Sequence, residues 1–212
     1  MVSRTAKKGW PVPTGVAIRD VRQQLFPAAE RVLLRDGPSG LTSRAVTTEA
    51  GCAKGVLHRH FADFDAFLAE LVLDRIEQVG RQSAALLASA GTGTVTGNLT
   101  GALTDQFGSV AVKIVSLLIF RDDLRARLRE TIPSGVPVAT EVAAMVSAYL
   151  AAERDLGRIA AGADIDTLAL TLIGTAHLLA VDRESAQPNP ESVATMVATV
   201  LDGVLKDRDT AV

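Results

Sequence analysis

The tightest constraint on this chain is a glycine standing between two short segments of helical pattern. Ahead of it, Thr42 or Ser43 can cap a helix running to about Ala50, with Ala45, Val46 and Glu49 inside. Gly51 then ends that helix, because glycine accepts the left-handed conformation of a tight helix end. A further helix fits Ala53 to Phe61, where Leu57 and Phe61, four apart, share one face and point toward Val46 and Ala50. Lys54, Gly55, His58 and Arg59 are left on or near the opposite face. Gly55 has no side chain, so its backbone can come close to another surface.

The remainder of the 212 residues also reads as helix. Ala, Leu and Val are abundant and aromatics scarce, a mixture that favours helix over strand. Residues 1–15 are polar, basic and broken by Pro11 and Pro13, which reads as a mobile arm. From Val16 to Arg35 apolar residues recur at helical spacing, with Pro27 predicting a kink or a late start. "DGPSG" closes this helix. Asp63 can cap a long helix from Phe64, and "SAGTGTVTGNLTG" reads as a polar loop. Helical stretches follow near 99–109, 110–130, 136–155, 164–183 and 190–206, separated by Gly or Pro clusters. No strand-like alternation is present, so the expected fold is all-α with about nine helices, three small ones first.

Charge separates the two ends of the chain. Residues 1–62 carry ten Lys/Arg against four Asp/Glu, whereas residues 63–212 carry twelve against twenty. A basic end on an acidic body suggests an anionic partner met at that end. The start of the chain has no apolar stretch behind its basic residues, and the run around "VSLLIF" is interrupted by Lys113 and too short to span a bilayer. A soluble cytoplasmic protein without a membrane partner is expected.

Two short helices about a tight turn, the second presenting basic and polar groups outward, are how a helix-turn-helix enters the major groove. Lys and Arg neutralise phosphates, and either can read guanine. An ordinary helical hairpin with a solvated face has the same short turn, but the longer spacing favours DNA. "GLTSRAVTTEAGCAKGVLHRHFADFDAFLAELV", with Gly40, Thr42, Arg44, Val46, Ala50-Gly51, Gly55, Leu57, Phe61 and Leu68, resembles the DNA-binding segment of the tetracycline-repressor-like (TetR) family of transcriptional regulators. Ala28-Ala29 and Gly37 fit its first helix, and the strong likeness covers about residues 16–72.

The resemblance implies a helix-turn-helix domain over 16–62 and a ligand-binding and dimerisation domain over 63–212. It places Thr42 and Arg44 at the start of the helix before the recognition helix, and Lys54, Gly55, Val56, His58 and His60 toward DNA. Two residues depart from the family pattern: His58 stands where Tyr is usual and Phe64 where Lys is usual. Phe64 cannot hold a phosphate, which leaves that contact to Arg59 or to Arg4, Lys7 and Lys8 of the arm. The resemblance also implies a homodimer paired through the last two helices, near 164–183 and 190–206. Leu168, Leu172, Leu178 and Leu179 in one, and Val193, Val197, Val200 and Leu201 in the other, make both apolar on more than one face. An intermolecular four-helix bundle is the expectation, with Val197 inside it.

Other chemistries find less support. His58 and His60, two apart on a helix, diverge by about 200° and cannot chelate one metal, so no metal and no cofactor are expected. Cys52 reads as a packed small hydrophobe, and "RDDLRARLRE" (121–130) as a solvated face with pairs at spacings of three and four. No nucleophile elbow, phosphate loop or zinc-protease motif occurs, so no enzyme is expected. His177 is a lone polar group on an apolar helix, by default a core or interface histidine and otherwise a ligand contact. An apolar effector pocket is expected among the helices near 99–120, 136–155 and 164–180, with Phe107, Phe120, Met145, Tyr149 and His177 as candidates. The leading reading is a ligand-responsive repressor that binds a palindromic operator as a homodimer and is released by a small apolar molecule. The alternative is a helical interaction module whose basic hairpin docks an acidic partner.

Overall fold

The computed structural model describes residues 18–107, 110–181 and 189–206, with side chains from residue 21 to 180 and from 189 onward within those spans. The described residues form ten helices: α1 (Ile18–Gly40), α2 (Ser43–Glu49), α3 (Val56–His60), α4 (Phe64–Ala88), α5 (Val95–Phe107), α6 (Ala111–Phe120), α7 (Asp122–Arg129), α8 (Ala139–Asp155), α9 (Ile165–Val181) and α10 (Pro190–Leu201). The nearest approach to a strand among them is a single antiparallel bridge between Ile159 and Leu205. The expected arm lies outside the described residues.

The head is α1–α3 closed by the start of α4. Its core is Leu25, Phe26, Val32, Leu33, Leu41, Val46, Leu57 and Phe61, all buried. Phe67 of α4 stacks into it, with ring centroids 5.1 Å from Phe61 and 5.6 Å from Phe26. α1 runs through Pro27 without a break and departs from helical geometry only at Gly37 (φ +70). Its lost turn therefore lies at "DGPSG", as the sequence predicts, and not at the proline.

In the body, α4 packs on α8, α10 lies against α5 and α9, and α8 against α9. The expected stretch 110–130 is two helices. The chain turns extended at Arg121 (φ −125, ψ 93), and Arg125 donates to the open carbonyls of Leu118 (3.1 Å) and Ile119 (2.8 Å) at the end of α6. A cation on the last carbonyls offsets the negative helix end, so the break is a stable one. The polar loop is shorter than expected, because α5 starts at Val95.

The last two helices are apolar for a reason the sequence hides. Leu172, Val193, Val197 and Leu201 are buried inside the single chain, and Leu168, Leu179 and Val200 are partly packed against the same core. Val197 thus belongs to the core beneath α10 and not to an intermolecular seam. The face of α9 left to solvent is Asp166, Thr167, Leu170, Thr171, Gly174 and Leu178.

Candidate functional site

The turn between α2 and α3 is built by local rules. The Thr42 hydroxyl accepts from the Ala45 N–H at 3.1 Å and caps α2. The buried Thr47 hydroxyl donates to the Ser43 carbonyl at 2.9 Å, and the Thr47 carbonyl accepts from the Cys52 N–H at 2.9 Å. Gly51 takes the left-handed conformation (φ +66). Cys52 is half-buried, its thiol 3.6 Å from the Gln24 side chain.

α3 is shorter than the sequence suggests. It starts at Val56, with Gly55 as its cap residue, so Lys54 and Gly55 belong to the turn before it. Glycine is a poor helix-interior residue and the helix begins beyond it. Lys54 and His58 are therefore not one helical turn apart on a common helix. Leu57 anchors α3 to the core, and Val56, expected toward DNA, is half-buried against the same core. Arg44, Lys54, Gly55, His58 and Arg59 are exposed, and His60 is half-buried.

The cations of the head fall into two sets. Arg22 pairs with Glu70 of α4. Arg31 and Arg35 both reach Glu49 at 2.8 Å, and these two guanidinium groups, Arg31 first, hold the Glu49 carboxyl below the ordinary carboxylate range. Arg44, Lys54 and Arg59 have no ion pair among the described residues. Arg44 on the first turn of α2, Lys54 in the α2–α3 turn and Arg59 on α3 are thus left uncompensated among the described residues, the distribution expected of a surface that meets polyanions.

Gly55 adds an independent sign. Its φ of −81° is open to any residue, and a Cβ built there meets nothing within 4 Å. Neither conformation nor packing asks for glycine at this exposed point. Two physical reasons remain: glycine caps a helix better than alanine does, and its bare backbone admits a close approach from outside.

Phe64 is accounted for by the body. It stacks on Phe67 (5.7 Å, 19°) and lies under the Arg121 guanidinium at 5.6 Å. Arg121 also donates to Asp65 at 2.8 Å, and Arg127 to Asp63 at 2.7 Å. Asp63 caps α4 through the Ala66 N–H at 2.6 Å; that bond first, and Arg127 further, keep its carboxyl below the usual range. The charge run 121–130 is therefore not simply a solvated face. Arg125–Asp122 is a local pair, but Arg121 and Arg127 clamp the first turn of α4.

A cavity of about 360 Å³ lies among α5, α6, α8 and α9, lined by Phe107, Val112, Val115, Ile119, Val142 and His177, with Gln106, Ala111, Val136, Val138, Ala139, Ile173, Gly174 and Leu178. It contains no charged residue, and its size is at the small end for a ligand site. The Phe107 and His177 rings meet edge-on at 6.4 Å. Val138 sits in the wall with φ +73, an uncommon and strained conformation for a β-branched residue.

Three expected pocket residues lie elsewhere. Tyr149 is fully buried two turns further along α8, where its hydroxyl accepts from Asn98 at 3.0 Å and sits beside Glu153; burial pushes the phenol well above its ordinary range. Met145 faces a separate recess among α4, α5 and α8 with Gln82 and Asn98. Phe120 is 79% exposed, beside Pro38, Leu41, Thr42 and Leu117 at the end of α1. Val136, Val138, Ala139 and Val142 fall at the start of the expected stretch 136–155, but a loop and the first turn of α8 carry no pattern that singles them out as a cavity wall.

Among the described residues no single helix is long and apolar enough to cross a membrane. Residues 25–71 match the family model described as "Bacterial regulatory proteins, tetR family". No match is found among curated proteins. Among solved structures, the chain is similar to reduced NemR of E. coli (TM-score 0.68, 18% identity, 88% of this chain and 98% of that one). It is also similar to a TetR-family regulator from Rhodococcus sp. (0.65, 15%, 87% and 98%). A third likeness is to FadR of Bacillus subtilis in complex with stearoyl-CoA (0.62, 16%, 86% and 98%). At these identities the likeness is one of fold.

Proposed function

We propose that this chain, whose N-terminal domain places it in the tetR family of bacterial regulatory proteins, represses transcription in the cytoplasm as a homodimer that leaves its operator when a small apolar molecule enters the cavity. One observation carries the reading: Arg44 on the first turn of α2, Lys54 in the α2–α3 turn and Arg59 on α3 are exposed and have no ion pair among the described residues, while Arg22, Arg31 and Arg35 of the same head are matched to carboxylates. The unpaired set meets DNA phosphates and base edges, with Thr42, Gly55, His58 and His60 beside it. A two-fold dimer offers two such turns to two half-sites, so the operator is palindromic.

The FadR neighbour was crystallised with stearoyl-CoA, and a chain of the same fold with an uncharged cavity supports an apolar effector here. α6 is the mechanical link. Val112, Val115 and Ile119 line the cavity, while Leu117 and Phe120 of the same helix stand beside Leu41 and Thr42, next to the cap of α2. Arg121 then ties the end of α6 to Asp65 and Phe64. An effector that displaces α6 moves the cap of α2 and the start of α4 together. Its effect on the operator is limited to its difference in affinity for the two arrangements.

The test is binding of the protein to its own promoter duplex and to a random duplex between about 50 and 200 mM salt. Affinity should fall steeply with salt for both, with the promoter bound more tightly. Weak binding that ignores salt would sink the DNA reading and favour an interaction module with an acidic protein partner.

A further inference from the structure

The cavity of the body is polar inside and apolar at its mouth. Gln106 is 1% exposed, and its neighbour Phe107 is buried as well. His177, half-buried, meets the Phe107 ring edge-on at 6.4 Å, which brings the imidazole to the α5 side where Gln106 stands. These are the two polar side chains of the lining. The part of the wall that solvent reaches is different in kind: Ile119, Val136 and Leu178 are all exposed and all apolar.

Charge, hydrogen bonding and size each narrow what can sit there. No charged residue lines the cavity, and residues 63–212 carry twenty Asp/Glu against twelve Lys/Arg. A carboxylate or phosphate taken inside would lose its water and gain no counter-charge, and the acidic body opposes its approach. A hydroxyl or carbonyl fares better. A carboxamide and a neutral imidazole can each donate and accept, so the bonds it gives up to water are replaced. The space of about 360 Å³ holds roughly a dozen non-hydrogen atoms at the ~30 Å³ that a water molecule takes in the liquid.

We propose that the effector is a neutral, compact molecule with one hydroxyl or carbonyl, bound polar end inward. That group meets Gln106 and His177, and the apolar end lies at the mouth against Ile119, Val136 and Leu178. This rests on the apolar effector of the preceding section and names its class. Fatty acids and acyl-CoA thioesters are ruled out three times: by charge, by length, and because their charged ends must stay in water while their tails go in.

The test is calorimetric titration of the full chain with para-tert-butylphenol, tert-butylbenzene, para-tert-butylbenzoate, para-tert-octylphenol and stearoyl-CoA. At about pH 7 the phenols are neutral and the benzoate is ionised. The parent should bind para-tert-butylphenol saturably and tert-butylbenzene at least about tenfold more weakly. The benzoate should bind at least about a hundredfold more weakly, and stearoyl-CoA should not compete with the phenol. The octylphenol is longer only at the end away from its hydroxyl, so its affinity should stay within about threefold of the butylphenol or exceed it. Gln106→Leu and His177→Leu should each shrink the gap between butylphenol and hydrocarbon to less than about threefold, with helical circular dichroism retained. His177→Leu repeats the test if the buried Gln106→Leu variant does not fold. A parent that binds phenol and hydrocarbon alike, or a gap that survives in the folded variants, would overturn the polar interior. Benzoate or stearoyl-CoA bound more tightly than the phenol would overturn the class and leave an effector in the cavity. Loss of octylphenol binding would overturn the orientation. If none of the five binds, the effector reading of the preceding section falls with the proposal.

Discussion

Arginines of the head's two short helices and arginines where α7 meets α4 are the same side chain put to opposite use. On α2, on α3 and in the turn between them, Arg44, Arg59 and Lys54 project into solvent with no ion pair among the described residues. Some thirty residues past α4, Arg121 and Arg127 each find a carboxylate on its first turn, and Arg121 also covers Phe64. A cation left without a partner adds nothing to the fold and is available to another molecule. A cation matched to a residue distant in sequence holds two elements in register. Pairing, more than residue type or exposure, separates the surface that binds from the surface that connects.

Removing the unpaired set should produce the largest effect. Arg44→Ala and Arg59→Ala should each weaken operator binding by about 1–3 kcal/mol and lower the salt slope by about one contact. Thermal unfolding should stay within about 0.5 kcal/mol of the parent, since nothing in the fold leans on them. Fluorescence anisotropy with a promoter duplex and a melting curve measure the two quantities on one sample. A variant that loses stability in step with affinity would erase the distinction between the two sets.

Cutting the junction should do the reverse. Arg121→Ala leaves the α2–α3 face untouched, so operator affinity without effector should change little. Stability should fall by at most about 1–2 kcal/mol, since the ion pair is partly exposed and the ring contact modest. The sharper readout is the effector response. The ratio of operator affinities with and without an apolar effector should shrink, because α6 is no longer tied to the start of α4. An unchanged ratio would show that the link runs through Leu117 and Phe120 alone.

The smallest effect is the acid dependence of the junction. The Asp63 carboxyl lies below its unfolded value, so the stability it contributes is complete above about pH 4–5 and is lost as pH falls through its folded value. Glu49, held low by Arg31 and Arg35, has the same sign. The melting temperature of the parent should drop below about pH 4, and Asp63→Asn should flatten part of that drop. A parallel curve for the variant would assign the acid sensitivity elsewhere.

How far the sequence can be read follows the same division between local and distant partners. Thr42, Gly51 and Asp63 act within four residues of themselves, and their caps and turn are where their types and spacing put them. The break at Arg121 was not legible, because the pattern from 110 to 130 is helical throughout and the partners that fix Arg121 lie in α4. The cavity was legible by region and, at Phe107 and His177, by residue, but not at Tyr149, Met145 or Phe120. Tyr149 shares a face with Val142 but sits seven residues on, about 10 Å along the axis and past the end of the space. Phe120 follows Ile119 by one residue, a turn of about 100° that carries it off the cavity face toward α1. Apolar character marks which helices enclose a space and not where along them it ends. The same limit hid the role of Val197, whose burial within one subunit looks, from sequence, identical to burial between two.

Gly55, placed where the fold makes no demand for it, sets two selective pressures against each other. With ordinary φ and empty space around its α-carbon, it can become alanine at no steric cost, and the gain of about 0.4–1 kcal/mol from a stiffer unfolded chain is set against the poorer cap that alanine makes for α3. A screen for thermostability should therefore tolerate this change, and, on the proposed DNA face, a reporter driven by the operator should reject it, because the added methyl would occupy the gap for a phosphate or base edge. A library scored by both criteria should show position 55 among the sites where the two rankings diverge. That divergence marks contact with an outside molecule without any structure of the complex.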